Sequence, residues 1–248
     1  ASVRKLAQQN EAPAPAAAGG KLITLHTPHA LDRLIERRYD QLVAYQDRAY
    51  AERFKQTVDR VRAAEAGLTP EGMPMPLTEA VARGLYKLMA YKDEYEVARL
   101  YTDPAFMKKL NEQFEGDFTL RFHLAPPSLA KHDDKGHLIK QTYGAWMMKA
   151  FGVLARFKGL RGGAFDIFGR TQERRTERAL IGEYETLVNE LLSRLGEHNL
   201  SLAVQLAELP QEIRGFGHVK EQNLAATRIK WTKLLTQFRD GGSHRAAA

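Results

Sequence analysis

Cysteine is absent from the 248-residue sequence. Its absence excludes disulfide bonds, thiolate-ligated zinc, cysteine-ligated iron–sulfur clusters and a cysteine nucleophile within this chain. The sequence also lacks an apolar run of about 18 residues, which a membrane-spanning helix requires, and its first residues lack the apolar segment of a secretory signal. We therefore expect a cytoplasmic protein that does not cross a membrane.

Recognised catalytic motifs are missing as well. The sequence contains no GxSxG nucleophile elbow, no HExxH zinc motif and no phosphate-binding P-loop. His123, His132 and His137 could in principle bind a metal with Asp133 and Asp134, but they lie on a predicted strand and loop without ligand spacing. We expect them to be surface or structural residues, and we assign no catalytic or metal-binding residue to this chain.

The charge balance is basic but moderate. The chain has 37 Lys and Arg residues against 30 Asp and Glu residues, a formal net charge of +7 and a pI near 9.5. This surplus permits an anionic partner, but on its own it does not favour nucleic acid. With 44% hydrophobic residues, the chain can bury a substantial core.

The clearest helix signal lies at residues 171–195. Thr171 is a suitable N-cap, and Gly196 is a suitable left-handed residue after the last turn. The apolar residues between them alternate at intervals of three and four, which places them on one helical face: Ile181, Tyr184, Val188, Leu191 and Leu195. We expect the chain to be organised around this helix.

Composition divides the chain into four segments. Residues 1–20 are predicted to be the end of a preceding domain and a linker rich in Pro, Ala and Gly. Residues 21–101 are predicted to form a long helical hairpin, residues 102–240 an α+β domain, and residues 241–248 a disordered tail. The fold class is therefore predominantly helical α+β.

Within the hairpin, apolar spacing predicts one very long helix, or two helices in line, over residues 28–65. Prolines break the pattern at residues 67–76, and a second helix follows at residues 78–100. In the next segment, alternating residues predict a strand at 118–124 and an antiparallel partner at 137–143. We expect the first helix to extend as an exposed arm that can dock on another domain.

Two glycine-rich turns, at residues 158–170 and 213–223, each precede a predicted helix. Backbone amides at such turns can bind phosphate, although tight turns between helices are the simpler interpretation. We expect the two turns to lie close together, with exposed arginines, as one contact surface for an anion or a protein. Its candidate residues are Arg161, Gly162, Gly163, Arg214, Gly215, His218 and Lys220.

Basic residues are concentrated around the first turn, where only Asp166, Glu173 and Glu177 oppose them. Two interpretations remain open: an ordinary solvated face, or a surface for a carboxylate-rich partner or a phosphate. The basic residues are Arg156, Lys158, Arg161, Arg170, Arg174, Arg175 and Arg178.

Four segments, taken in order, resemble a known family. They are YKDEYEVARLYTDPAF (residues 91–106), FEGDFTLRFHLAPP (114–127), LARFKGLRGGAFDIFGRTQERRTERALIGEYE (154–185) and LPQEIRGFGHVKEQNLAATR (209–228). Together they are similar to the C-terminal region of single-chain 2-oxoacid:ferredoxin oxidoreductases, in particular indolepyruvate ferredoxin oxidoreductase-like proteins. Residues 22–66 show a looser similarity to the same region.

The resemblance implies membership of an enzyme that converts a 2-oxoacid to an acyl-coenzyme A and passes electrons to ferredoxin. Its thiamine diphosphate, divalent metal and iron–sulfur clusters are expected in upstream catalytic domains, since this chain has no cysteine and no thiamine diphosphate motif. We expect this chain to be a non-catalytic portion that serves interdomain or homodimer assembly. The alternatives are a domain that contacts coenzyme A phosphates and a basic helical module that binds nucleic acid.

Overall fold

The computed structural model describes residues 28–116, 118–124 and 141–243. Over these residues the chain has a predominantly helical α+β fold with nine α-helices and a two-stranded antiparallel sheet, which confirms the predicted fold class. The predicted linker at residues 1–20 and residues 244–248 of the predicted tail lie outside the described residues. So do four candidate metal ligands: His132, Asp133, Asp134 and His137.

Helices α1 (Pro28–Tyr45) and α2 (Arg48–Ala66) form an antiparallel hairpin. The Asp47 side chain caps α2 directly after α1 ends, by accepting a backbone amide hydrogen bond of 2.8 Å. Arg62, near the end of α2, lies 2.7 Å from Asp32, near the start of α1. The predicted extended arm is therefore wrong, because the chain reverses at Asp47 and the apolar face of α2 is buried within this chain.

Helix α3 (Pro76–Met89) lies at the centre of the bundle and packs against both α1 and α2. Its start is fixed by Glu65 of α2, a fully buried carboxylate that accepts hydrogen bonds from the Leu77 and Thr78 amides at 2.8 and 2.7 Å. These amides would otherwise be unsatisfied at the helix end, where the helix dipole also favours a negative charge. The hairpin therefore positions α3 through a buried polar contact as well as through apolar packing.

A smaller packing unit follows α3. Its two strands pair with Phe122 opposite Tyr143 and Leu124 opposite Gln141, which confirms the predicted antiparallel pairing. The first strand is shorter than predicted, since only three of its residues pair within the described chain. The elements are α4 (Glu94–Thr102), α5 (Pro104–Gln113), β1 (Phe122–Leu124), β2 (Gln141–Tyr143) and α6 (Met147–Arg156).

Aromatic side chains hold this smaller unit together. The Tyr101 ring stacks on Phe151 with a centroid distance of 5.3 Å and meets Phe122 edge to face at 5.2 Å. The helix predicted at residues 78–100 is therefore two helices, because Asp93 starts α4 by accepting an amide hydrogen bond of 2.8 Å from its first turn. Helix α4 packs mainly against α6 and belongs to the smaller unit.

Helix α7 (Gln172–Arg194) returns the chain to the bundle and packs against α3. The Thr171 hydroxyl accepts a hydrogen bond of 3.3 Å from the Arg174 amide, which confirms the predicted N-cap. The predicted left-handed Gly196 is wrong, since its φ is not positive. Its amide instead donates to the Asn199 side chain at 2.9 Å, so a side chain closes the end of this helix.

Helices α8 (Leu200–Glu208) and α9 (His218–Ser243) complete the bundle, joined by the 3-10 helix Leu209–Glu212. Tyr184 of α7 donates its hydroxyl hydrogen to the Ala207 carbonyl at 2.7 Å and ties α7 to α8. Burial raises the pKa of this hydroxyl, which therefore stays protonated and keeps the hydrogen bond.

Two hydrophobic clusters divide the described chain. The larger cluster joins residues 35–91 to residues 180–238, and the smaller one draws on residues 98–151. These clusters do not follow the predicted boundary between residues 101 and 102, because α7, α8 and α9 pack with the first three helices. The smaller unit is thus an insertion between two halves of one helical bundle.

Candidate interaction site

The first glycine-rich turn begins with the 3-10 helix Phe157–Leu160 and is anchored by a buried ion pair. Arg161, which is 6% exposed, donates from Nε to Oδ2 of Asp93 at 2.5 Å and from Nη2 to Oδ1 at 2.9 Å. Its Nη1 donates to the Tyr45 carbonyl at 2.6 Å, and the guanidinium lies 3.6 Å from the centre of the Tyr45 ring. Arg161 therefore ties the turn to the end of α1 and the start of α4.

The prediction of an exposed Arg161 that contacts an anion is therefore wrong. Its guanidinium is already bonded to an internal carboxylate and an internal carbonyl. A buried guanidinium is tolerated because Asp93 neutralises it in a bidentate geometry. The two partners are 68 residues apart in the chain, so no local sequence pattern could pair them.

A second carboxylate occupies the turn itself. Asp166 is buried and accepts hydrogen bonds from the amides of Gly162 at 2.7 Å and Gly169 at 2.9 Å. Gly162 has a φ of 74°, which glycine adopts without strain and which directs its amide inward. Burial and the nearby Asp166 raise the pKa of Tyr95, whose hydroxyl lies 3.4 Å from that carboxylate, to about 12.

The amides that the phosphate-binding interpretation of this turn would use are therefore occupied by internal acceptors. The amides of Gly162 and Gly169 bind Asp166, and the Gly163 amide donates to a carbonyl of the same turn at 2.9 Å. None of these three amides is open to an external anion. The simpler interpretation of these glycines, a tight turn between helices, therefore applies to this turn.

The basic residues around the turn separate into two groups. Beside Arg161, Lys158 donates to two carbonyls at the end of α1 at 2.7 and 3.1 Å, and Arg174 lies 2.6 Å from Glu177. Arg178 donates to a carbonyl of the turn at 2.6 Å. The remaining three are exposed and form no ion pair within the described residues: Arg156, Arg170 and Arg175.

The solvent side of the same turn is apolar. Phe165 is 78% exposed and Ile167 is 68% exposed, although they flank the buried Asp166. Phe157 and Leu160 of the 3-10 helix are also exposed, and we call these four residues the apolar loop surface. Exposed apolar side chains grouped on one fixed turn are typical of an interaction site. In the sequence, Phe165 and Ile167 alternate with Asp166. This alternation indicates an apolar surface only once Asp166 is known to point inward.

The second glycine-rich turn precedes α9 and has a different interior. Gly215 has a φ of 95° and Gly217 a φ of 53°, so both adopt the left-handed region that favours glycine. Arg214 and His218 are exposed, and Arg214 donates from Nε to a carbonyl of the preceding 3-10 helix at 2.8 Å. In the described part of the chain, no carboxylate is bonded to the amides of this turn.

Lys220, in the first turn of α9, forms an ion pair with Glu177, a buried acid of α7. Glu173 of the same helix lies 3.8 Å from Lys220. The Arg178 side chain packs next to Gly162 of the first turn. Both glycine-rich turns therefore contact the first half of α7, although Arg161 takes no part in an exposed surface between them.

Lys87, in the last turn of α3, was not among the candidate residues. It is half-buried, and within the described residues it has no hydrogen-bond or ion-pair partner. Burial, and then repulsion by Arg214 and Lys220, lower the pKa of Lys87 to about 8. A lysine near a helix end normally indicates a solvated residue that favours the helix dipole, so the sequence carried no signal of this environment.

The described residues contain neither a metal-binding cluster nor a membrane-spanning helix. Over residues 28–116, 118–124 and 141–243, no three His, Asp or Glu side chains are grouped so that they could hold a metal ion. His123 instead lies 3.0 Å from the Thr142 hydroxyl across the strand pair. None of the helices in this part of the chain combines the length and the apolar content needed to cross a bilayer.

Comparison with known proteins adds one finding. A family model, described as a family of unknown function (DUF6537), matches residues 31–233. This range contains both glycine-rich turns and Lys87. No curated protein and no solved structure matches the chain.

Proposed function

The chain belongs to the DUF6537 family, a family of unknown function, and we propose that it is a non-catalytic assembly portion of a cytoplasmic 2-oxoacid oxidoreductase. The enzyme would convert indolepyruvate or another 2-oxoacid to an acyl-coenzyme A and pass electrons to ferredoxin. The four sequence segments that resemble this enzyme class support the proposal. Thiamine diphosphate, the divalent metal and the iron–sulfur clusters would be held by other domains of the enzyme.

The observation that carries the assembly role is the apolar loop surface. Phe165 and Ile167 stand out from a turn whose interior is fixed by Arg161 and Asp166. Holding apolar side chains in place before binding lowers the entropy lost on docking. Large apolar anchors of this kind typically supply most of the free energy of an interface.

The surroundings of this surface indicate the chemistry of its partner. Arg156, Arg170 and Arg175 are nearby in the sequence, exposed and without an ion pair in the described chain. A partner surface should therefore be apolar at its centre and carry carboxylates at its edge. A symmetric dimer through the same surface would bring these arginines towards their own copies, so we favour the upstream catalytic domains over a second copy.

The test replaces both apolar anchors in the full-length enzyme that the proposal assigns to this chain. Phe165→Ser combined with Ile167→Ser should weaken interdomain docking at least tenfold, since each lost apolar contact is worth about 1.5–3 kcal/mol. Size-exclusion profiles and turnover with the 2-oxoacid measure the effect. The free energy of unfolding of the 248-residue chain should change by less than about 0.5 kcal/mol, because both side chains are exposed.

Ile229→Ser is the matched control, since Ile229 is 73% exposed on α9, away from this turn in the sequence. It should leave both assembly and turnover unchanged. If the double variant assembles and turns over like the wild type, the docking role is wrong.

The geometry of the first turn also limits how the chain could contact coenzyme A or nucleic acid, the two alternative functions. Contact with coenzyme A phosphates could not use the amides of Gly162, Gly163 and Gly169, which are bonded internally. Binding of nucleic acid would depend on the three exposed arginines rather than on the seven basic residues of the run. A steep loss of affinity with added salt would favour nucleic acid over the assembly role.

A further inference from the structure

Helix α6 is apolar on two sides. Met147 and Phe151 are buried and belong to the hydrophobic cluster of the smaller unit. On the solvent side, Trp146, directly before the helix, is 61% exposed and Val153 is 57% exposed. A surface helix normally has one apolar stripe, which faces its own core, and a helix that is apolar all round is normally covered. The solvent side of α6 therefore has the composition of a covered surface.

The exposed apolar residues of this helix follow a helical repeat. Val153 is seven residues, or about two helical turns, after Trp146, and Phe157 follows on the same side four residues later. Leu160 is three residues after Phe157 in the 3-10 helix, where side chains at this spacing lie one above the other. We call these four residues the α6 stripe. Phe157 and Leu160 also belong to the apolar loop surface, so the two surfaces are continuous.

The exposed charges beside the α6 stripe are positive. Lys149 and Arg156 are themselves seven residues apart and are exposed, and within the described residues neither forms an ion pair. Residues 141–165 contain no Asp or Glu. The next acid in the sequence, Asp166, is buried and bonded to amides of its own turn. This segment of the chain therefore supplies no acid that compensates the two cations.

Trp146 is held in place by the strand pair. Its ring meets the ring of Tyr143 edge to face, with a centroid distance of 6.1 Å. Tryptophan is among the residues that most often anchor interfaces, and a side chain that is already fixed loses less entropy on docking.

We propose that the α6 stripe binds an amphipathic helix that has acidic residues along one edge of its apolar face. Apolar residues that recur every seven positions match the spacing at which two nearly parallel helices contact each other. Acids at the same spacing on the bound helix would face Lys149 and Arg156. This inference rests on the proposed assembly role, since it names the element of the partner domain that covers this side of the chain.

The first test titrates the 248-residue chain with a synthetic helical peptide of three heptads. The peptide repeats the pattern of the stripe, with Leu at its apolar positions and Glu at the positions of Lys149 and Arg156. Binding should cover Trp146 and shift its fluorescence to shorter wavelength, whereas Trp231, packed on Tyr184, should not respond. The same peptide with Lys in place of Glu should not bind.

Charge reversal in the chain provides the matched comparison. Lys149→Glu combined with Arg156→Glu should weaken binding of the acidic peptide at least tenfold. Lys109→Glu combined with Lys233→Glu reverses two exposed charges on α5 and α9, and should bind like the wild type. The proposal is overturned if the wild type does not bind the acidic peptide or if both double variants bind it equally. It is also overturned if the chain binds phosphatidylglycerol vesicles but not the peptide, because the stripe would then be a membrane-binding surface.

The second test separates this inference from the proposed function. In the full-length enzyme, Trp146→Ser combined with Val153→Ser should weaken interdomain docking at least tenfold, and should shift the melting temperature of the 248-residue chain by less than about 3 °C. If Phe165→Ser with Ile167→Ser disrupts assembly but this variant does not, the α6 inference is overturned and the proposed function stands. If neither variant disrupts assembly, both are wrong.

Discussion

The two glycine-rich turns look alike in the sequence but differ in what fills them. The first contains a buried carboxylate, Asp166, and is anchored by a buried ion pair between Arg161 and Asp93. The second has no carboxylate bonded to its amides in the described chain, and the charges of Arg214 and Lys220 lower the pKa of Lys87. The interior of the first turn is filled by a carboxylate of the chain, whereas that of the second turn is not. Both turns expose apolar side chains, Phe165 and Ile167 in the first and Phe216 in the second.

The difference shows that a basic, glycine-rich segment is an anion site only if the fold does not supply the anion. The Asp166 side chain is held by the nearby amides of Gly162 and Gly169, and the Tyr95 hydroxyl, from far away in the chain, also lies 3.4 Å from it. The net charge of a segment therefore overestimates the charge that is available at its surface. Each basic residue has to be matched against the internal carboxylates and carbonyls that it reaches.

Breaking the anchor of the first turn should have the largest effect. Arg161→Met leaves the Asp93 carboxylate buried without its partner, and the free energy of unfolding should fall by about 3–5 kcal/mol. Urea unfolding at pH 7 measures the change. Arg156→Met, on an exposed arginine five positions earlier, should change it by less than about 0.5 kcal/mol.

Removing both members of that pair, with Asp93→Leu and Arg161→Met together, should recover part of the lost stability. The buried charge is then gone, which is the larger part of the penalty. A surface substitution typically changes the free energy of unfolding by less than about 1 kcal/mol. If the free energies of unfolding of Arg161→Met and Arg156→Met differ by less than this, the ion pair does not anchor the turn.

Emptying the first turn should make it resemble the second. Asp166→Ala leaves the amides of Gly162 and Gly169 without an acceptor, and the free energy of unfolding should fall by about 2–3 kcal/mol. Added acetate should restore part of this loss, since a small carboxylate can replace the missing side chain. Melting curves with and without acetate measure the recovery.

The wild type, in which Asp166 already fills the turn, is the control for Asp166→Ala and should not be stabilised by acetate. Equal stabilisation of both proteins, or none in Asp166→Ala, would contradict the view that this turn is an internally occupied anion site.

The smallest effect concerns the second turn and depends on pH. The folded pKa of Lys87 is about 8, below its ordinary value of 10.5, so protonation of Lys87 opposes folding. This penalty is fully present below pH 8 and disappears as the pH rises towards 10.5. Lys87→Gln should therefore stabilise the chain at pH 7 by about 1 kcal/mol, a value reduced for solvent screening of a half-exposed group.

Urea unfolding of the wild type and Lys87→Gln at pH 7 and at pH 9.5 measures this difference in stability. The stabilisation should be smaller at the higher pH, whereas Lys149→Gln should show no such dependence. A constant difference across both values would mean that Lys87 is already solvated in the folded chain.

Local signals in the sequence predicted a substantial part of the fold. The cap at Thr171, the extent of α7 and the antiparallel pairing of the two strands depend on neighbouring residues or on simple alternation. The reversal at Asp47 was missed because apolar spacing continues from α1 into α2 without interruption. Spacing alone does not distinguish helices in line from helices folded back.

The candidate site was less accessible to sequence reasoning. Arg214 and Lys220 were identified from their turn, but Arg161 was assigned to the surface because its partner Asp93 is distant in the chain. Lys87 gave no signal, since burial and the approach of two other cations are properties of tertiary packing. Pairing and desolvation, rather than residue type, decide which charges remain available for a ligand.

The division of the chain into two hydrophobic clusters also has a consequence for its synthesis. Helix α3 contacts α7 and α8, which leave the ribosome only after the whole inserted unit of residues 94–156. At about 5–20 residues per second, part of the apolar face of α3 stays uncovered for roughly five to twenty seconds, the time needed to complete α7. During that interval the uncovered face of α3 is available to a chaperone.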